Sequence, residues 1–301
     1  MASDLTQHRP GVAIILKLSA VFLFMVMAAL VKSASDEVPP GQAVFFRSFF
    51  ALPIIMIWLW QLGQLRVGLV PSNVMGHVWR GIFGTTAMGL TFAGLGLLPL
   101  PEVTAIGYAT PMFTVLLAAL LLGERIRFIR ITAVALGLVG VMIVLAPRLT
   151  VAGDAVSSAA TAGAIMVLIA SIMRALVQIH VRRLVQTDHT AAIVFYFSVT
   201  ASVLGLLTWP VAVMMGIQSM VWTAPPTWAM TLLILSGLIG GAAQIMVTAS
   251  YRFGSASMLA PFDYASTIFA TVIGYVAFSE VPTTATVLGA SLVIAGGVLI
   301  I

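Results

Sequence analysis

Polar residues act as punctuation along this chain. Breaking it at charges and at Pro/Gly clusters leaves apolar runs centred near Phe22, Ile54, Met88, Phe113, Leu138, Ile169, Leu204, Ile234, Phe269 and Ile294. A helix rises about 1.5 Å per residue, so roughly twenty apolar residues cross the hydrocarbon of a bilayer. The pattern therefore predicts an all-α integral membrane protein of ten transmembrane helices. Connections are short, the longest surrounding Arg66, Asp154 and Trp222, and none holds a soluble domain. The first run, Gly11 to Val31, exceeds a signal-peptide core and no small-residue cleavage site follows it, so it is expected to be retained. The chain stops at Ile301 without a polar tail, as expected of a sequence truncated just past its last helix.

Composition sharpens this picture. Of 301 residues 61% are hydrophobic and 8% charged, whereas a soluble domain carries roughly a quarter charged residues. The net charge of +5 would suggest nucleic acid in a soluble chain. Here the basic residues sit in short loops, so the expected partner is the lipid bilayer and not nucleic acid. Cysteine is absent, which removes disulfides, thiol catalysis and cysteine metal sites. Arg9, Arg66, Arg125, Arg127, Arg130, Arg182, Arg183 and Arg252 fall in loops on one side. The other side holds Lys32 and Arg148 beside the acids Asp36, Glu37, Asp154 and Glu280. The positive-inside rule makes the first side cytoplasmic and places both termini there. Trp58, Trp60 and Trp79 then anchor the inner interface, and Trp209, Trp222 and Trp228 the outer one.

The two halves echo each other. Gly81-Ile-Phe-Gly84 recurs as Gly237-Leu-Ile-Gly240, Tyr108-Ala109 as Tyr264-Ala265, Phe113 as Phe269, Glu124 as Glu280 and Gly140 as Gly296, all at a spacing of 156 residues. Met27-Ala-Ala-Leu-Val31 echoes Met173-Arg-Ala-Leu-Val177 at a spacing of 146. Residues 1–150 and 151–301 are thus expected to be two five-helix repeats. Five is odd, so the second repeat enters the membrane inverted. Such halves can exchange inward-open and outward-open shapes around a midplane site; an old duplication in a channel or scaffold is the other reading.

Gly107-Tyr-Ala-Thr-Pro-Met-Phe113 leading to Leu122-Gly-Glu124, Tyr264-Ala-Ser-Thr-Ile-Phe269 leading to Ser279-Glu280, and Ala43-Val-Phe-Phe-Arg47 resemble the drug/metabolite transporter superfamily. Within it they are most similar to the EamA type and its bacterial inner-membrane amino-acid exporters, the aromatic amino-acid branch included. The resemblance covers nearly the whole chain. It implies a central cavity bounded by spans one to four and six to nine, with spans five and ten bracing each repeat outside it. The sequence supports that bracing independently: Ala133, Gly137 and Gly140, with Ala285, Gly289 and Gly296, are spaced for close helix contact. Thr267 stands where the family's usual proline, present as Pro111, would recur. A symmetric bend of spans four and nine is therefore left open.

A charge inside the hydrocarbon is costly and normally faces protein or water. The intramembrane candidates are Arg47, Arg174 and Asp263. Arg174 and Asp263 each lie roughly 11 Å below the cytoplasmic surface by helix rise. They are expected as an ion pair, serving as an inner gate or as a permanent tie between spans six and nine. Alternatively Arg174 meets a substrate carboxylate. Arg47 is expected near Glu102 as an outer pair. Gln244 places an amide mid-membrane that must find a partner. Tyr108 and Tyr264 offer apolar walls with hydroxyl handles, and Thr85 and Thr86 sit among glycines. Phe46, Phe195, Tyr196 and Met27 are candidates for an apolar pocket, core packing being the alternative for each. His77 and His180 are expected at the cytoplasmic interface.

The zinc, nucleophile-elbow and phosphate-loop motifs H-E-x-x-H, G-x-S-x-G and G-x-x-x-x-G-K-[ST] do not occur. No enzyme, ATP-driven pump, cofactor or metal site is expected. The expectation is a secondary transporter or facilitator of the bacterial inner membrane exporting amino acids, hydrophobic and aromatic ones favoured, and related metabolites. Proton-coupled export of other metabolites or drugs, a channel, or a non-transporting scaffold or receptor are the alternatives. Oligomeric state is not legible, although a monomer suffices for the proposed cavity.

Overall fold

The computed structural model describes residues 9–63, 65, 69–122, 128–150, 155–188, 190–253 and 259–300. Arg66, Glu124, Arg125, Arg127 and Asp154, and the side chains of Arg130, Arg148, Arg182, Arg183 and Arg252, lie outside the described part.

In lipid every backbone polar group must be satisfied within the protein, which a helix does by itself. The described residues accordingly form helices and no strand: α1 Pro10–Ser33, α2 Pro40–Phe49, α3 Ala51–Gln61, α4 Val74–Leu97, α5 Leu100–Gly107, α6 Ala109–Leu122, α7 Phe128–Thr150, α8 Ala155–Thr187, α9 Thr190–Met215, α10 Thr227–Phe253, α11 Ala265–Phe278 and α12 Thr284–Ile300. Proline opens α1 and α2, where its missing N–H would be unpaired in any case. The Asn73 side chain caps α4 by accepting from Gly76 N at 2.9 Å. Six helical stretches are long and apolar enough to cross a membrane, and shorter apolar helices follow at Ile131–Pro147, Phe262–Phe278 and Thr284–Leu299. Large apolar side chains such as Met214 and Phe128 point outward and are almost fully exposed, the arrangement expected where lipid is the solvent.

Both helices that carry the paired tyrosines are interrupted at them. The first breaks at Tyr108 between α5 and α6. Pro111 cannot donate a backbone N–H, and the Gly107 carbonyl accepts instead from the Thr110 hydroxyl at 2.8 Å. The second passes from a 3₁₀ segment, Ala260–Tyr264, into α11. There Ser266, the counterpart of Thr110, donates to the Asp263 carbonyl at 2.7 Å. The interruption recurs without the proline, and in both places a short hydroxyl side chain donates to the carbonyl three residues back.

Packing follows the sequence echo. α1 runs along α10 and α4 along α8. Since α1 matches α8 and α4 matches α10, these are one contact made twice. α2 lies on α9, α5 on α11, and α7 on α12. The last of these pairs touches backbone to backbone. A Cβ on Gly140 would lie 2.6 Å from the Gly289 carbonyl, one on Gly289 2.5 Å from the Gly140 carbonyl, and one on Gly296 2.6 Å from the Ala133 carbonyl. These are among the small residues expected to let the two bracing helices close.

Candidate functional site

Polar side chains divide between the two ends of the bundle and its interior. At one end Lys32 Nζ lies 3.0 Å from Glu280 Oε1 and donates to the carbonyls of Leu95 and Leu98 at 2.9 and 2.6 Å. Glu280 Oε2 accepts from the Leu100 amide at 2.8 Å, so a carboxylate caps the positive end of α5. α1, α4, α5 and the segment after α11 are thereby clasped together. At the opposite end Asp188 accepts from the amide and hydroxyl of Ser72 and lies 3.0 Å from His77 Nε2. His180 Nε2 is 3.0 Å from the Gly76 carbonyl. Burial alone would raise the Asp188 carboxyl; the Ser72 donors and His77 outweigh it and hold it below its ordinary value.

Between these ends lies a cavity of about 160 Å³. Its apolar wall includes Met25 and Ala28 of α1, Leu95 of α4, and Leu100 and Val103 of α5; its polar groups are Thr91, Thr104, Tyr108, Arg174 and Ser266. An apolar void near 150 Å³ holds a benzene-sized guest. Most of the polar groups are already occupied. Thr104 donates to the Leu100 carbonyl at 2.9 Å, and Thr91 to the Ala87 carbonyl at 2.7 Å. The Tyr108 hydroxyl meets Ser266 Oγ, accepts from Thr267 at 2.9 Å and lies 3.2 Å from the Asp263 carbonyl. Arg174 is the exception. Among the described residues its guanidinium donates only to Thr91, at a long 3.3 Å, lies against Gly107, and keeps Nε buried without a partner. An arginine at the centre of a membrane helix costs about 2.5–3.5 kcal/mol to insert, and among the described residues no carboxylate pairs with it.

The expected Arg174–Asp263 pair does not form. Asp263 Oδ1 instead lies 2.7 Å from Lys17 Nζ of α1, with the lysine buried and the aspartate half exposed. Lys17 lies seven residues inside α1, and it is α1 that packs against the 3₁₀ segment holding Asp263, whereas Arg174 lies thirteen residues before the end of α8. Nor does an ion pair join Arg47 to Glu102. Arg47 is 5% exposed and its Nε has no hydrogen-bond partner.

The remaining candidates are dispersed. The Tyr264 ring meets that of Tyr108 at 5.1 Å, but its hydroxyl presses on Gly297 of α12. Met27 is buried in the main core with its sulfur against Gly240, and Phe46 packs on the same core while stacking on Phe50. Thr85 is buried with an unpartnered hydroxyl, and Thr86 is exposed. Gln244 is half-buried on α10, outside the cavity lining. Phe195 packs on Ile55 and Leu59 in a separate cluster. Tyr196 lies tilted against His77 and donates to the Leu69 carbonyl at 2.8 Å, which places it in the end cluster and away from the cavity.

Sequence reasoning missed Lys17, Thr91, Ser266 and Arg80. The signal for Arg80 was helical spacing: Arg80, Gly84, Met88, Thr91 and Leu95 recur every three or four residues and so share one face of α4, the face whose upper end lines the cavity.

Comparison with known proteins agrees with this architecture. A pseudopaline exporter of Pseudomonas aeruginosa (strain UCBPP-PA14) is 29% identical over 289 residues, covering 96% of this chain and 93% of its own. An S-adenosylmethionine uptake transporter of Rickettsia prowazekii (strain Madrid E) is 24% identical over 260 residues, covering 86% and 82%. A solved crystal structure superposes with a TM-score of 0.65 at 19% identity, covering 97% of this chain and 98% of its own, which shows a shared fold. The family pattern described as the EamA-like transporter family matches residues 11–146 and 161–301. With nearly the whole length matched, the chain belongs to the EamA-like transporter family, a multi-pass membrane protein of the drug/metabolite transporter type.

Proposed function

We propose that this transporter exports amino acids and related small metabolites across the bacterial inner membrane, recognising them through their α-carboxylate. The observation that carries the reading is Arg174, a guanidinium beside an apolar cavity with donors to spare. A carboxylate is the planar acceptor that fits a guanidinium fork. The apolar wall beside it suits hydrophobic and aromatic side chains. Sugars fit poorly, since each unpaired hydroxyl in such a site costs about 1–3 kcal/mol. Relatives named for S-adenosylmethionine uptake and pseudopaline export support a metabolite substrate, the former built on methionine.

In this reading the chain crosses the membrane ten times, both termini are cytoplasmic, and residues 1–150 and 151–301 are inverted repeats that alternate access around the cavity. The Lys32–Glu280 clasp is the closed outer gate, and the half-exposed Asp263 faces the open inner side. Reporter fusions after Gly63 and Thr187 should read cytoplasm, and after Glu37 and Trp222 periplasm; a reversal at one of them breaks the inverted arrangement. The deciding measurement is counterflow in proteoliposomes. Phenylalanine, methionine and leucine should exchange and compete, with saturation. Conductance without saturation would mean a channel, no flux a scaffold, and exclusive exchange of a sugar phosphate would sink the proposal.

A further inference from the structure

Most glycines inside this bundle are held there by packing. A Cβ on Gly137 would lie 2.3 Å from Met112 Cε, and one on Gly94 2.3 Å from Val167 Cγ2. Gly107 is different. It closes α5 as ordinary helical backbone without a positive φ. A Cβ on it would touch, among the described residues, only the two ends of one guanidinium fork: Arg174 Nη1 at 3.6 Å and Nη2 at 3.7 Å. Both are ordinary van der Waals distances. Glycine weakens a helix relative to alanine, so neither backbone conformation nor packing accounts for it at this position.

Gly107 and Arg174 both line the cavity. The point that a Cβ would take lies between the glycine backbone and the terminal nitrogens of the fork. The Gly107 carbonyl does not use those nitrogens, for it accepts from the Thr110 hydroxyl at 2.8 Å. Among the described residues Arg174 Nη2 reaches only Thr91, at 3.3 Å.

The other repeat puts an acid at the same position. Gly107 and Asp263 are counterparts at the 156-residue spacing that relates Tyr108 to Tyr264. The matching helices α8 and α1 pack in the matching way, α8 against α5 and α1 against the 3₁₀ segment holding Asp263. In the second contact Asp263 meets a cation of α1, Lys17, at 2.7 Å. In the first a cation of α8 faces the position with its carboxylate missing. The cations come from different turns, since the counterpart of Arg174 at the 146-residue spacing is Ala28. What recurs is the place of the acid, filled in one repeat and bare in the other.

We propose that Gly107 is the specificity-determining seat of the substrate carboxylate, which settles over its bare Cα against both Nη groups of Arg174 and takes the place that Asp263 fills in the other repeat. This rests on the reading that Arg174 takes the α-carboxylate, and adds where that group sits and what keeps the place clear. A planar carboxylate meets the fork with two parallel hydrogen bonds. An ester or amide in the seat would leave the guanidinium charge uncompensated, so free acids are selected over their neutral derivatives.

Variants at Gly107 test it. Gly107→Asp supplies the missing carboxylate from within. Its melting temperature in detergent should exceed that of Gly107→Asn by several degrees, Arg174→Gln should erase the difference, and phenylalanine counterflow should be lost. Gly107→Ala should fold at least as stably as the unmodified protein. It should raise the KM for phenylalanine roughly tenfold, by spoiling a charge-assisted hydrogen bond, with Vmax little changed. Phenylalanine should outcompete phenylalaninamide by about tenfold or more in the unmodified protein, and Gly107→Ala should narrow that ratio. Equal stability of the Asp and Asn variants, or a difference that survives Arg174→Gln, overturns the placement. A lowered Vmax at constant KM in Gly107→Ala would make the glycine a hinge and overturn the seat. Unchanged kinetics in Gly107→Ala overturn the seat and leave the carboxylate role of Arg174 standing. Arg174-dependent stabilisation by Gly107→Asp, in a protein that exchanges no amino acid, overturns the function proposed above and keeps the seat.

Discussion

The lysines and the arginines inside this bundle are treated in opposite ways. Lys17 meets Asp263 at 2.7 Å. Lys32 meets Glu280, two helix-terminal carbonyls and the face of Phe278. Arg47, Arg80 and Arg174 show, among the described residues, one long hydrogen bond and one ring face. A lysine ammonium has three donors and is readily saturated by protein; a guanidinium has five in a rigid fork suited to carboxylates. The difference teaches that the lysine charges are satisfied by the fold, whereas the arginine charges have no carboxylate partner among the described residues.

The sharpest way to break that comparison is Arg174→Gln. Transport should fall roughly a hundredfold, since a charge-assisted hydrogen bond contributes about 1.5–3 kcal/mol, while thermal stability stays the same or rises because an uncompensated buried charge is gone. A melting temperature lowered as much as by loss of a lysine would show the arginine to be structural. Lys17→Met is the matching test on the paired side. Breaking a fully buried pair costs about 3–5 kcal/mol; with Asp263 half exposed, a loss of about 1–2 kcal/mol is expected, partly restored by adding Asp263→Asn. Additivity in the double-mutant cycle would show the two side chains uncoupled.

Glu280→Gln should weaken the clasp and the start of α5 by about 1 kcal/mol, read as faster labelling of a cysteine placed at Thr104 by an impermeant reagent from outside. Ser266→Ala should cost less, about 0.5 kcal/mol, and should slow counterflow by relaxing the helix interruption at Tyr264. The smallest effect at neutral pH concerns the Asp188 cluster. Its carboxyl is held below the ordinary value, so its contribution is present above the unfolded carboxyl pKa and lost only as pH falls through the lower folded value. Melting curves of the unmodified protein and Asp188→Asn should therefore differ at neutral pH and converge only in strong acid.

Much of the architecture was legible because its causes are local. The helices answer to long apolar runs, the capping of α4 to Asn73, and the α7–α12 contact to glycines whose spacing forces them onto one face. Even the paired interruptions were marked by Thr110 and Ser266, although the eye goes to Pro111 first. The site was legible only in part. Of the expected residues, Arg174 and Tyr108 line the cavity; a lone charge or phenol in an apolar run stands out. Tyr196, equally conspicuous, is drawn into the His77 cluster by a carbonyl from a distant turn.

The sequence by itself determined a helical membrane protein, its echoing halves, and which polar residues the lipid would force inward, since hydropathy and period depend on each residue and its near neighbours. Only the tertiary structure decided which charges meet. Lys17, Arg47, Arg80 and Arg174 are all cations at plausible depth, and depth is one coordinate of three. Rotation of each helix about its axis, fixed by packing such as Gly240 against Met27 and Gly140 against Gly289, turned Lys17 towards Asp263 and left the three arginines without a carboxylate partner among the described residues.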